Sequence, residues 1–139
     1  MSSIKNQIIA AVFSTLQTVP GVQGAYRSRP EAMRREESPA IVVEPVTNLP
    51  NYDGLNFMNW AFTFRVTVIV RGAIPDEISD PIEVEIYNRL MADRTVGGLC
   101  LDLLPGEQRT DIIEGDRPAG VMQGLWIATH RTSQTALDA

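Results

Sequence analysis

The chain has one histidine, His130, and one cysteine, Cys100. A thiol and an imidazole are the pair that could make a nucleophile near neutral pH. Cys100 lies in Leu99-Cys-Leu101, an apolar setting that suits an inert buried thiol. His130 stands late in a strand, between Thr129 and Arg131, where a surface or interface position is expected. One residue of each type cannot build a zinc cluster within one chain. The carboxylates Asp76, Glu77 and Asp80 precede a helix without the spacing of a calcium loop, and compensation of the helix dipole is their expected role. Glu83 and Glu85 are two apart on a helix and point to different sides, and Glu114 and Asp116 flank a turn. The chain has neither a nucleophile elbow nor a Walker or dinucleotide loop. Gly97-Gly98 reads as a helix terminator, and Arg34-Arg35 runs straight into Glu36-Glu37. These residues predict no enzyme, no metal and no cofactor.

The elements that carry them predict an α+β class. Residues 3–19 form an amphipathic helix, with Ile4, Ile8, Val12, Thr15, Leu16 and Val19 on one stripe, widened by Ile9 and Phe13. Ser2 or Ser3 caps it, and Pro20-Gly21 ends it. A short strand over 22–28 precedes a mobile charged loop over 27–39. A strand over 40–46 then stops at or soon after Pro45, and residues 48–54 read as a turn. In residues 56–71, Met58, Trp60, Phe62, Phe64, Val66, Val68 and Val70 repeat at a period of two, which defines one core face. That strand would run roughly 45 Å, while a chain of this size has a radius of gyration of about 14–15 Å. Part of the strand should therefore project and be covered by something else. Asp80, Pro81 and Glu83 read as N-cap, N1 and N3 of a second helix with Ile82, Ile86 and Leu90 inward. Residues 99–104 form a short apolar segment ending at Pro105-Gly106. Residues 107–114 and 121–133 read as antiparallel strands, and 134–139 as a frayed tail. Strands joined by short loops favour a mixed, mostly antiparallel sheet with one overlong strand and two helices packed on one face.

At 139 residues the chain fits a single domain, 1–139, large enough to bury a core without cross-links. No apolar run is long enough to span a bilayer, the start lacks a signal-peptide pattern, and a lone cysteine fits a reducing cytoplasm. A net charge of −5 argues against a tight grip on duplex DNA.

An ordered set of motifs resembles the tail terminator proteins of long-tailed phages, also called tail completion or minor tail protein U-like proteins. The set comprises an N-terminal helix, the loop Tyr26-Arg-Ser-Arg-Pro30, and Ser38-Pro-Ala-Ile-Val-Val-Glu-Pro45. It continues with the long strand from Trp60 to Val70, Asp80-Pro81 opening a helix, Asp93-Arg-Thr-Val-Gly-Gly-Leu99, and the closing strand from Leu125 to Thr132. The resemblance implies a non-enzymatic ring, usually a hexamer, at the head-proximal end of the tail tube. Such a ring is a virion protein assembled in the host cytoplasm, and its partners are further copies of itself, the tail tube protein and the head connector proteins. DNA passes through without specific binding. A head-closure or neck ring is a related reading, and a small cytoplasmic α+β enzyme or ligand-binding domain is a reading of another class. Under the ring reading, Phe57, Asn59, Ala61, Thr63 and Arg65 are expected at the subunit boundary. Arg29, Arg34, Arg35, Glu36 and Glu37 are expected to touch a neighbour or the tube. Asp53, Asp76, Glu77, Glu114 and Asp116 are expected to line the channel, where negative charge repels phosphates.

Overall fold

The computed structural model describes residues 2–28, 38–52 and 56–139. The elements are α1 (Ile4–Leu16), β1 (Gly24–Arg27), β2 (Ala40–Tyr52), β3 (Phe57–Arg71), α2 (Pro75–Ala92), β4 (Asp102–Ile113) and β5 (Ala119–Ser133). The five strands form one sheet in the order β1-β2-β3-β5-β4. β1 runs parallel to β2, and every other pair is antiparallel. The fold is α+β with a mixed, mostly antiparallel sheet, as the pattern of elements predicts.

One hydrophobic cluster joins both helices to one face of the sheet. Ile8, Ile9, Val12 and Leu16 of α1 and Ile82, Ile86 and Leu90 of α2 meet Phe62, Phe64, Val66, Val68 and Val70 of β3. These β3 residues are the even-numbered set of the period-two pattern, because alternate side chains of a strand leave opposite faces. Ser3 caps α1: its hydroxyl accepts from the Asn6 N–H at 3.1 Å. The helix ends at Leu16, short of Pro20, and Thr15 is exposed. Arg89 of α2 donates to the carbonyls of Thr15 and Thr18 and to the Thr18 hydroxyl. It thereby satisfies groups that the last turn of α1 leaves open.

Three boundaries differ from the sequence expectation. β2 passes through Pro45 and Pro50 to Tyr52, absorbing the first proline with a register shift between Pro45 and Thr47. The shift leaves Val46 as the extra residue of a bulge. α2 begins at Pro75, not Pro81. Pro75 takes the first helical position, so Asp80 does not cap the helix and Pro81 lies inside it. Ser79 is buried, and its hydroxyl donates to the Asp76 carbonyl and meets Glu83 at 3.0 Å. β4 starts at Asp102 and carries Pro105-Gly106 through a second register shift, between Pro105 and Gln108. The last residues, 134–139, expected to fray, carry two backbone hydrogen bonds. Ile4 N–H donates to the Leu137 carbonyl at 2.8 Å, and Ser133 N–H to the Ala139 carbonyl at 2.6 Å.

Candidate assembly surfaces

β3 is paired along nearly its whole length on both sides, with β2 from Ile69 to Met58 and with β5 from Phe57 to Arg71. The overlong strand thus does not project alone. It is the centre of a three-stranded ribbon, and what fades along it is the helix cover. On the helix side, burial is complete from Phe62 to Val70, while Met58 and Trp60 are half-buried. On β2, Ala40 to Val43 are buried, and every residue from Glu44 to Tyr52 is at least partly exposed. The apolar residues at that end of the ribbon are open to solvent: Val46, Leu49, Tyr52 and Phe57, with Leu49 64% exposed.

The five residues expected at a subunit boundary all lie on the sheet face away from the helices, because they are the odd-numbered set of β3. Among them only Phe57 is widely exposed; Asn59, Ala61, Thr63 and Arg65 are half-buried. Their neighbours across the strands provide the cover. Arg65 pairs with Glu44 at 3.1 Å, and Asn59 accepts from Arg131 Nε at 2.9 Å. The Arg131 guanidinium stands 5.3 Å over the Phe57 ring. Ala61 lies between Leu49 and Thr129, and Thr63 between Thr47 and Ile127.

Four of the acidic residues expected in a channel share one end of the sheet. Asp76 and Glu77 fall in the first turn of α2, and Glu114 and Asp116 in the exposed turn between β4 and β5. That turn is brought to the start of α2 by the Gly72 N–H, which donates to the Pro118 carbonyl at 3.0 Å. Arg71 and Arg117 belong to the same end. Asp53, and Arg29, Arg34, Arg35, Glu36 and Glu37, lie outside the described residues.

His130 is a correction. It is 2% exposed, not a surface or interface side chain. Its ring lies nearly parallel to that of Trp60, with 6.3 Å between centroids. Neither ring nitrogen has a hydrogen-bond partner among the described residues. Burial, and then the Lys5 ammonium on α1, hold its pKa below the usual imidazole value. Its parity was the available signal: His130 alternates with Trp126 and Ala128, which are both buried. Trp60 Nε1 donates to Thr132 Oγ1 at 2.9 Å, so the neighbouring polar group on this face is satisfied.

Cys100 is also buried, and its thiol donates to the Arg94 carbonyl at 3.4 Å. Burial, with Asp102 and Asp93 nearby, pushes the thiol up to about 11, so it stays protonated at neutral pH. A half-open cavity between α2 and the sheet, lined by Glu83, Tyr87, Gln108 and Trp126 among others, is about 30 Å³. That is the scale of a water molecule. Glu83 is partly buried there, and desolvation raises its pKa. No group of three or more histidine, cysteine, aspartate or glutamate side chains among the described residues could hold a metal ion. No protein-family model matches the chain, and no curated protein matches it.

Proposed function

We propose that this protein is a non-enzymatic assembly subunit. It forms a ring, with six copies as the expected number, that caps the tail tube of a long-tailed phage. The ring stops polymerisation of the tube protein and offers a surface to the head connector. The observation that carries this reading is the three-stranded ribbon of β2, β3 and β5. Its far end leaves the helix cover and carries exposed Leu49, Tyr52 and Phe57. An isolated subunit gains nothing by exposing these side chains, whereas a neighbouring subunit or the tube covers them.

Ring closure needs a heterologous contact, one patch on a subunit meeting a different patch on the next. The face of Phe57, Asn59, Ala61, Thr63 and Arg65 is assigned to that contact, with Phe57 as its exposed anchor. Asp76, Glu77, Glu114 and Asp116 are assigned to the channel, through which DNA passes without being held. The test is mass measurement in solution, followed by negative-stain imaging with tail tube protein present. A closed ring on the tube is the expected result, and a chain that stays monomeric with the tube sinks the reading. A gel shift at low salt checks the channel: the ring should leave DNA unbound, and tight salt-sensitive binding would reverse the charge assignment.

A further inference from the structure

β4 is an outer strand of the sheet, and no strand among the described residues pairs with its far side. Its ladder with β5 is regular from Gln108↔Gly124 to Ile113↔Ala119. Every residue from 107 to 113 is exposed and none is proline. Alternate N–H and C=O groups along this stretch therefore point away from β5, free to accept another strand. Ile112 and Ile113 add apolar area at the same edge, 47% and 57% exposed.

The sequence of this stretch is complementary to itself. Two identical strands pair antiparallel about a two-fold axis only if opposed residues have the same parity, because outward backbone groups must meet outward backbone groups. The axis must then pass at a residue. Centring on Arg109 opposes two arginines, and centring on Asp111 opposes two aspartates. Centring on Ile112 opposes no charges. Centring on Thr110 sets Arg109 against Asp111 twice, Thr110 against Thr110 and Gln108 against Ile112. Centring on Gln108 also opposes unlike charges, Glu107 and Arg109, but Glu107 falls in the register shift between Pro105 and Gln108. Thr110 is the one centre that opposes unlike charges with both partners inside the regular stretch. Directly opposed side chains share a face and interact, and opposite charges there are favourable.

We infer that the β4 edge is a docking site for a second copy of this chain, pairing antiparallel through residues 108–112 about Thr110. The contact joins two five-stranded sheets into one. It is independent of the ring, because a two-fold contact is isologous and a cyclic ring is built from heterologous ones. It describes a form of the free subunit whose mass is twice the monomer.

The test uses the full chain. Thr110→Cys should give a disulfide-linked dimer under mild oxidation, since Thr110 faces its own copy. The native Cys100 is buried and does not compete. Gln108→Cys should not cross-link to itself, but should cross-link to Ile112→Cys when the two variants are mixed. In sedimentation, Arg109→Asp and Asp111→Arg should each weaken dimerisation about tenfold by opposing like charges at both ends of the contact. The double reversal R109D/D111R should restore it. A monomer at all concentrations with no Thr110→Cys cross-link overturns the inference. So does a dimer insensitive to the single reversals, or one in which Gln108→Cys cross-links to itself as readily as Thr110→Cys. None of these outcomes bears on the ring, which is read from its own mass with the tube protein.

Discussion

The two long edges of the sheet are built from different materials. Beyond Val43 the outer side of β2 has no strand partner among the described residues, since β1 pairs with residues 40–43. There β2 carries Pro45 and Pro50, paired inward with Phe64 and Trp60. A proline inside a sheet is tolerated where its nitrogen faces away from the ladder, so both remove a donor from the outer edge. The Val46 bulge twists that edge further. The β4 edge has no proline from 107 to 113 and runs in regular register from Gln108. One edge offers side chains, Leu49 and Tyr52 at its far end, while its backbone is blunted. The other offers backbone, with charges that are complementary across a two-fold axis at Thr110 within the regular register. Neither edge is thereby a general template for strand addition.

The largest test of that contrast lies between the edges. Phe62→Ala, at a fully buried position in the centre of the sheet, should cost about 3–5 kcal/mol in chemical denaturation. Leu49→Ala, at the blunted edge, should change stability by no more than about 0.5 kcal/mol. Comparable losses for the two would mean that the β2 end is part of the core rather than a surface held for a partner.

The next test follows one row across the sheet. Pro50, Trp60 and His130 stand side by side, and the row passes from an exposed proline to a fully buried imidazole. His130 titrates below its usual value of 6.5 because of burial and Lys5. The unfolded chain therefore binds the proton more readily, and stability is lost as pH falls below about 6.5, by up to roughly 1.4 kcal/mol per pH unit. Replacing His130 with Phe should flatten that slope between about pH 5 and 7. An unchanged slope in denaturation at several pH values would place the titration elsewhere.

Restoring donors to the β2 edge is a subtler change. The double substitution P45T/P50T should leave the fold intact and raise concentration-dependent association in light scattering by several-fold, because the outer backbone regains two N–H groups. If scattering stays at the wild-type level, the prolines serve the bulge and not the edge. The smallest effect belongs to the ion pair on the open face. Glu44 and Arg65 are each about one-third exposed, and Glu44→Gln should cost at most about 1 kcal/mol. A larger loss would mark that face as more tightly organised than its exposure indicates.

Much of the fold was legible because period two and period four are local properties. The even-numbered residues of β3 and the Ile82, Ile86, Leu90 stripe of α2 fell on the core as read. Ser3 capped α1 through the expected hydroxyl. Where the reading failed, two competing local signals were present. Pro75 and Pro81 could each begin α2, and the structure starts the helix at Pro75 with Pro81 inside it. Pro45 and Pro50 read as stops, but an edge strand can place proline nitrogens outward. For the candidate surfaces, the sequence identified which β3 residues share a face. It could not show that Asn59 and Arg65 are engaged by Arg131 and Glu44, since those partners come from distant parts of the chain.

Alternation and helical spacing in the chain alone determined the α+β class, the core face of the long strand and the inward stripe of the second helix. These depend on side-chain direction along a single element, which neighbouring residues set. Only tertiary structure decided that β4 and the far half of β2 become edges, that His130 is buried against Trp60, and that the β4–β5 turn meets the start of α2. Each depends on strand order and register, which bring together residues tens of positions apart. A period-two pattern says which side a residue faces but not which strand lies beside it.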